Sequence, residues 1–75
     1  KIACYHGTEK EITESLIASG RYDVVLSGHT HHSSVRTVGT TLAINPGSAH
    51  GFEDEAPMIA VLETKTRRVE IIPLL

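Results

Sequence analysis

Residues 24–31, VVLSGHTH, decide the fold, because an apolar run leads there directly into two histidines. The run predicts a buried strand, and Gly28 lets the backbone turn without a Cβ clash where that strand ends. If the segment stays extended, His29 and His31 point to the same side, with Cα atoms roughly 6–7 Å apart. This separation suits one imidazole on each of two metal ions about 3.5–4 Å apart. When the motif is considered alone, a surface loop that happens to contain histidine explains it about as well as a metal site does.

A histidine also follows the first apolar run of the chain. Residues 2–5 predict a short buried strand, and His6 comes directly after it. A helix pattern then leads to the strand at residues 23–27, which makes a right-handed βαβ unit with parallel strands. Parallel neighbours bring their carboxyl ends to one edge of a sheet, where open α/β sheets bind ligands. We therefore expect His6, His29 and His31 to converge at that edge.

The helix between these strands carries both start and stop signals. Thr8 and Glu11 match a T-x-x-E capping box in which Thr8 is the N-cap. Gly20 suits the position that follows the last helical turn. Apolar residues at i, i+4 and i+5 predict one core-facing stripe, made of Ile12, Leu16 and Ile17.

The rest of the chain predicts antiparallel β-structure. Two pairs of alternating segments flank short turns, which is typical of β-hairpins. The pairs are Ser34–Val38 with residues 41–44, and Met58–Glu63 with Arg68–Pro73. A two-hairpin second half therefore follows the βαβ unit.

The segment between the hairpins, residues 49–56, predicts a loop. Its acidic residues Glu53, Asp54 and Glu55 favour a solvated loop over a metal site, because consecutive carboxylates point in different directions. His50 lies just past a turn near the proposed ligand edge. It is interpreted either as an exposed loop histidine or as a contact to a substrate phosphate.

A third marker is residues 45–48, NPGS, in which Asn before Pro and then Gly is a strong turn signal. Together, His6-Gly7, the GHTH motif and NPGS, in this order and spacing, resemble the calcineurin-like metallophosphoesterase superfamily. The resemblance is greatest to small single-domain phosphodiesterases of bacteria and archaea. It implies an α/β fold, a four-layer α/β/β/α sandwich, of which this chain supplies the C-terminal half.

The resemblance also implies a site for two divalent metal ions. His6 and His29 would then ligate the second metal, and His31 the first. Manganese is the expected metal, with iron, nickel or zinc as alternatives, because sites rich in imidazole do not choose sharply among these ions. The implied reaction is metal-assisted hydrolysis of a small phosphoester, most simply a phosphodiester, with Thr8 and His50 as candidate substrate contacts.

Other parts of the family pattern do not occur in these 75 residues. The upstream ligand motifs D-x-H, G-D and G-N followed by an acidic residue or histidine are missing, and Asp23 and Asp54 are the only aspartates. The chain begins with Lys1 inside a predicted strand, and a chain this short buries only about 60% of its unfolded surface. We therefore expect the C-terminal part of a single domain of about 150–200 residues, inactive when isolated.

Composition excludes several partner classes. The formal net charge is −2 and the basic residues are scattered, which argues against a nucleic-acid surface. No apolar run approaches the roughly 20 residues that span a bilayer. The one cysteine, Cys4, lies in a predicted buried strand, which fits a reducing, cytoplasmic compartment. A homo-oligomer is left open.

Two other functional classes compete with the enzyme. The retromer scaffold subunit has the same fold and serves as a protein-interaction platform, and fold does not determine function. A sugar- or nucleotide-binding α/β domain is the third hypothesis, but the sequence holds no glycine-rich phosphate loop.

Overall fold

A computed structural model of the chain describes residues 1–53 and 55–74. Within these residues one helix accompanies a four-stranded sheet, and a separate hairpin follows. The elements are β1 (Ile2–Cys4), α1 (Lys10–Ala18), β2 (Val24–Leu26), β3 (Ser34–Val38), β4 (Thr41–Asn45), β5 (Met58–Glu63) and β6 (Arg68–Pro73). The predicted βαβ unit and both predicted hairpins are confirmed.

The four-stranded sheet has the order β1-β2-β4-β3. Strand β1 runs parallel to β2, with Ile2 opposite Val24, and β3 pairs with β4 as an antiparallel hairpin. Strand β4 also runs parallel to β2, with Val24 opposite Leu42. The sequence did not predict this second parallel pairing. It brings the end of β4, at Asn45, to the same sheet edge as the ends of β1 and β2.

The core lies between α1 and one face of this sheet. Its buried members are Ile17, Val25 and Ala43, and Leu16 is partly buried against them. Val25, in the central strand β2, is only 1% exposed. The prediction that Ile12 belongs to the core stripe is wrong, since its side chain is 46% exposed. Helix α1 therefore rests on the sheet through its last two turns.

Strand β1 is not buried as predicted. Side chains alternate across a strand, and only Ala3 faces the core, whereas Ile2 and Cys4 are exposed. The physical reason is that β1 is an edge strand covered by α1 on one face. The expectation of a buried Cys4 is therefore wrong.

The start of α1 also differs from the prediction. The helix begins at Lys10 with Glu9 as its N-cap, and no side chain caps it. The Thr8 hydroxyl is instead hydrogen-bonded to His6 Nδ1 at 2.8 Å. The predicted helix end is confirmed, because Gly20 follows the C-cap Ser19 and has a φ of +70°.

The β5–β6 hairpin packs beside the sheet through a few specific contacts. Arg67, in its turn, donates to Asp23 Oδ1 at 2.7 Å and to the Thr40 carbonyl at 3.0 Å. The Met58 N–H donates to the Ser48 carbonyl at 2.9 Å. An apolar cavity of about 420 Å³ lies between the hairpin and the sheet. None of the helices in the described residues is long and apolar enough to cross a membrane.

Candidate functional site

The loops after β1 and β2 meet at the carboxyl edge of the sheet. The Gly28 N–H donates to the His6 carbonyl at 2.9 Å, and the His6 and His29 rings lie 5.2 Å apart between centroids. Gly7 has a φ of +102°, and a Cβ built there would lie 2.7 Å from the Gly28 carbonyl oxygen. Only glycine allows this approach. The predicted convergence of His6 and His29 is thus observed.

The segment after β2 is not extended. The expectation that His29 and His31 follow the alternation of an extended strand is therefore wrong. His29 has a φ of +71° and His31 a φ of +65°, both in the left-handed region that non-glycine residues rarely adopt. The Thr30 N–H donates to the Gly28 carbonyl at 2.8 Å, which closes a three-residue turn around His29. Such strained backbone persists only where its surroundings hold it in place.

Asn45 holds this loop from the sheet side. Its side chain is almost fully buried, at 7% exposure, and its Nδ2 donates to Thr30 Oγ1 at 3.0 Å and to the Gly28 carbonyl at 3.3 Å. Its Oδ1 accepts the Gly47 N–H at 3.0 Å. Asn45 therefore links the NPGS turn to the GHTH loop. The NPGS motif predicted the turn but not this link.

His31 has different ring neighbours from His6 and His29. Its ring stacks on Phe52, with centroids 4.6 Å apart and an interplanar angle of 26°. The convergence of all three imidazoles on one point is therefore not observed. Among the described residues, no group of three or more histidine, cysteine or acidic side chains is arranged to hold a metal ion.

The loop that carries Phe52 is also not simply solvated. Phe52 and Glu55 exchange backbone hydrogen bonds at 3.1 and 2.9 Å, which forms an isolated β-bridge. Glu55 Oε1 accepts the Ser33 N–H at 2.7 Å, and Oε2 lies 3.3 Å from His32 Nδ1. The bond from Ser33 is the main reason why the pKa of Glu55 is lowered from its ordinary value, and His32 adds to the effect. The prediction of a solvated acidic loop is wrong for Glu55, and Asp54 lies outside the described residues.

Thr8 and His50 occupy different surroundings. Thr8 is exposed beside His6, and with His29 it lines a cavity of about 360 Å³ between α1 and the sheet. An ion pair of 2.5 Å between Glu14 and Arg36 forms part of the wall of that cavity. His50 is exposed, and its N–H donates to Ser48 Oγ at 3.2 Å.

The donors at this edge fit an ion that accepts imidazole. His6 is hydrogen-bonded through Nδ1 to Thr8, which leaves Nε2 free to bind a ligand. Histidines that ligate metals commonly engage their other ring nitrogen in such a bond, which fixes the ring orientation. Imidazole nitrogen suits zinc, iron, nickel and copper and is compatible with manganese in mixed sites. His6 and His29 are therefore of a ligand type that such an ion accepts, and two imidazoles alone do not complete a coordination sphere.

Comparisons with known proteins identify the family of this chain. The model of the calcineurin-like phosphoesterase superfamily domain matches residues 1–67. The chain is 39% identical over 69 residues to a phosphodiesterase of Methanocaldococcus jannaschii, and the alignment covers 92% of this chain and 42% of that protein. These comparisons offer no support for the scaffold or nucleotide-binding hypotheses.

A solved structure gives the same result for the fold. The structure, described as that of a novel archaeal phosphodiesterase, superposes with a TM-score of 0.90 at 38% sequence identity. The superposition covers 99% of this chain and 45% of that one, so the chain spans less than half the length of either relative. The predicted fold class is confirmed. The chain belongs to the calcineurin-like phosphoesterase superfamily.

Proposed function

We propose that this chain forms part of a metal-dependent phosphodiesterase, with His6, His29 and His31 as metal ligands. One observation carries the proposal: the His6 and His29 rings lie 5.2 Å apart at the carboxyl edge of parallel strands in a member of this family. Membership of the family implies divalent metal ions. The relatives named as phosphodiesterases support a small phosphoester as the substrate.

We further propose a binuclear site, with manganese as the resident metal. When bound, such a pair of ions polarises phosphoryl oxygens and supplies an activated water at neutral pH. The three imidazoles leave a coordination sphere incomplete, so carboxylate ligands would come from residues outside these 75. The chain would then be the C-terminal part of a single domain, located in the cytoplasm.

The residues of this chain have separable tasks in the proposal. His6 and His29 bind metal, and Thr8 orients the His6 ring through its hydrogen bond to Nδ1. Asn45 keeps the GHTH loop in its strained form by bonding to Thr30. Thr8 and His50 are also the candidate contacts to substrate. Neutral imidazoles do not offset the positive charge of the metal ions that they bind, so the loaded site would attract a phosphate anion.

The test is hydrolysis of an aryl phosphodiester by the full-length protein with added Mn²⁺. We expect His29→Ala or His31→Ala to lower turnover by roughly 100-fold, as when a metal or its geometry is lost. Lys65→Ala, in the exposed β5–β6 turn, is the control and should retain activity. Activity that survives both histidine substitutions would eliminate the mechanism. If the full-length protein does not hydrolyse the aryl phosphodiester with Mn²⁺, Fe²⁺, Ni²⁺ or Zn²⁺, the result would favour the hypothesis of a non-catalytic scaffold.

A further inference from the structure

Two residues of the 49–56 loop contact the segment that carries the last histidine of the GHTH motif. Phe52 and Glu55 lie opposite each other in the β-bridge, so their backbone positions are coupled. Phe52 stacks on the His31 ring, and Glu55 binds the Ser33 N–H, two residues farther along. We call Phe52 and Glu55 the bridge pair.

The contact to His31 restricts the ring and leaves its nitrogen atoms accessible. A histidine side chain in solvent samples several χ1 rotamers and a broad χ2. The stack, with centroids 4.6 Å apart and planes at 26°, holds one face of the ring against Phe52. Because Nδ1 and Nε2 lie at the ring edge, stacking does not block them. A ring held in this way gives up less conformational entropy when it binds a ligand.

The contact to Ser33 restricts the backbone. His31 has a φ of +65°, a conformation that its own side chain disfavours. The carboxylate of Glu55 fixes the main chain just beyond it through the 2.7 Å bond to the Ser33 N–H. Gly47 leaves room for this bond, since a Cβ there would lie 3.2 Å from both Glu55 Oε1 and the Ser33 nitrogen. Gly47 of the NPGS turn and Glu55 of the bridge pair therefore both lie against Ser33.

We infer that Phe52 and Glu55 are positioning residues, which orient His31 for metal binding. The inference rests on the proposed function, because it assumes that His31 is a ligand. Phe52 acts on the ring and Glu55 on the backbone. Substituting the partners that orient metal ligands typically weakens metal affinity by about 10–100-fold. For substitution of either residue alone we expect a loss of metal affinity at the lower end of this range, about tenfold, because each residue restrains only the ring or only the backbone of the His31 segment.

The experiment uses the full-length protein and two readouts. The first is the NMR signal of the His31 Cε1–H in metal-free protein, assigned with the His31→Gln variant. The Phe52 ring current should displace this signal, and Phe52→Leu should return it towards the value of an exposed histidine, whereas Phe52→Tyr should preserve the displacement. The second readout is the Mn²⁺ dissociation constant by calorimetry.

Matched variants separate positioning from folding. Phe52→Leu and Glu55→Ala should weaken Mn²⁺ binding about tenfold, and Phe52→Tyr should bind within about twofold of wild type. Ile59→Ala removes another large apolar side chain of similar exposure, 38% against 37% for Phe52, and should bind normally.

The outcomes distinguish this inference from the function on which it rests. If His31→Ala loses Mn²⁺ affinity but Phe52→Leu and Glu55→Ala do not, the positioning role is overturned and the metal site stands. If His31→Ala itself binds Mn²⁺ as wild type does, His31 is not a ligand and both proposals fall. Loss of affinity in Phe52→Tyr equal to that in Phe52→Leu would also overturn the role assigned to the ring.

Discussion

Replacing Asn45 by alanine should destabilise the fold and release the GHTH loop. The buried side chain makes three hydrogen bonds, to Thr30 Oγ1 at 3.0 Å, to the Gly28 carbonyl at 3.3 Å and from the Gly47 N–H at 3.0 Å. Each typical bond contributes about 0.5–1.5 kcal/mol net, and groups left unsatisfied when buried cost more. With the 3.3 Å bond counted as weak, we expect a loss of about 2–3 kcal/mol in the free energy of unfolding.

Urea unfolding of the full-length protein, followed by circular dichroism, measures this loss. Lys65→Ala serves as the control, because an exposed turn residue should change stability by less than about 0.5 kcal/mol. Amide hydrogen exchange at Gly47 should accelerate in Asn45→Ala, since that N–H loses its acceptor. A variant as stable as wild type, with unchanged exchange at Gly47, would show that Asn45 does not link the turn to the loop.

Three further predictions concern Gly7, Glu55 and the isolated 75-residue chain. Gly7→Ala should lower the free energy of unfolding, measured with urea, by about 2–4 kcal/mol, because a positive φ and the Gly28 oxygen both oppose the new methyl group. Gly39→Ala is the control and should lower it by only about 1–2 kcal/mol, because nothing lies within 4 Å of the added Cβ. Equal losses in the two variants would contradict the close approach of Gly7 to Gly28. The lowered pKa of Glu55 means that its stabilising contribution is present above the ordinary glutamate pKa and is lost as pH falls through the folded-state value. Wild type should therefore melt at a higher temperature than Glu55→Gln at about pH 7, and this difference should become smaller as the pH is lowered to about 3. A difference that stays constant over this range would contradict the prediction. The 75 residues alone should unfold with little cooperativity and hydrolyse no phosphodiester with Mn²⁺; a sharp transition well above room temperature, or turnover, would show this expectation to be wrong.

Much of the architecture was predictable because it depends on local patterns. Alternation and turn residues located both hairpins, and the apolar run before residue 28 located the central strand β2. The parallel pairing of β2 with β4 was not predictable in this way, since strand order depends on contacts between distant segments. Nothing in the sequence of residues 41–45 distinguishes a hairpin edge from a central strand. The burial of Asn45 follows from that pairing.

The sequence predicted that His6 and His29 meet at the sheet edge, but it did not predict the conformation of the loop that carries His29 and His31. The spacing of His29 and His31 assumed an extended chain, but a three-residue turn closes around His29. A positive φ is uncommon for any residue other than glycine, including histidine, so the residue types alone did not predict the turn. The contacts of Phe52 and Glu55 were missed for a similar reason. A lone aromatic and an acidic triplet suggest an exposed loop, and only the tertiary structure brings them to His31 and Ser33.

Anomalous diffraction from crystals of the full-length protein grown with Mn²⁺ shows whether the histidines at the sheet edge bind metal. We expect an anomalous peak about 2.1 Å from ring nitrogens of His6 and His29, and a second ion within the same reach of His31. Well-ordered imidazoles with no anomalous peak within bonding distance would contradict it.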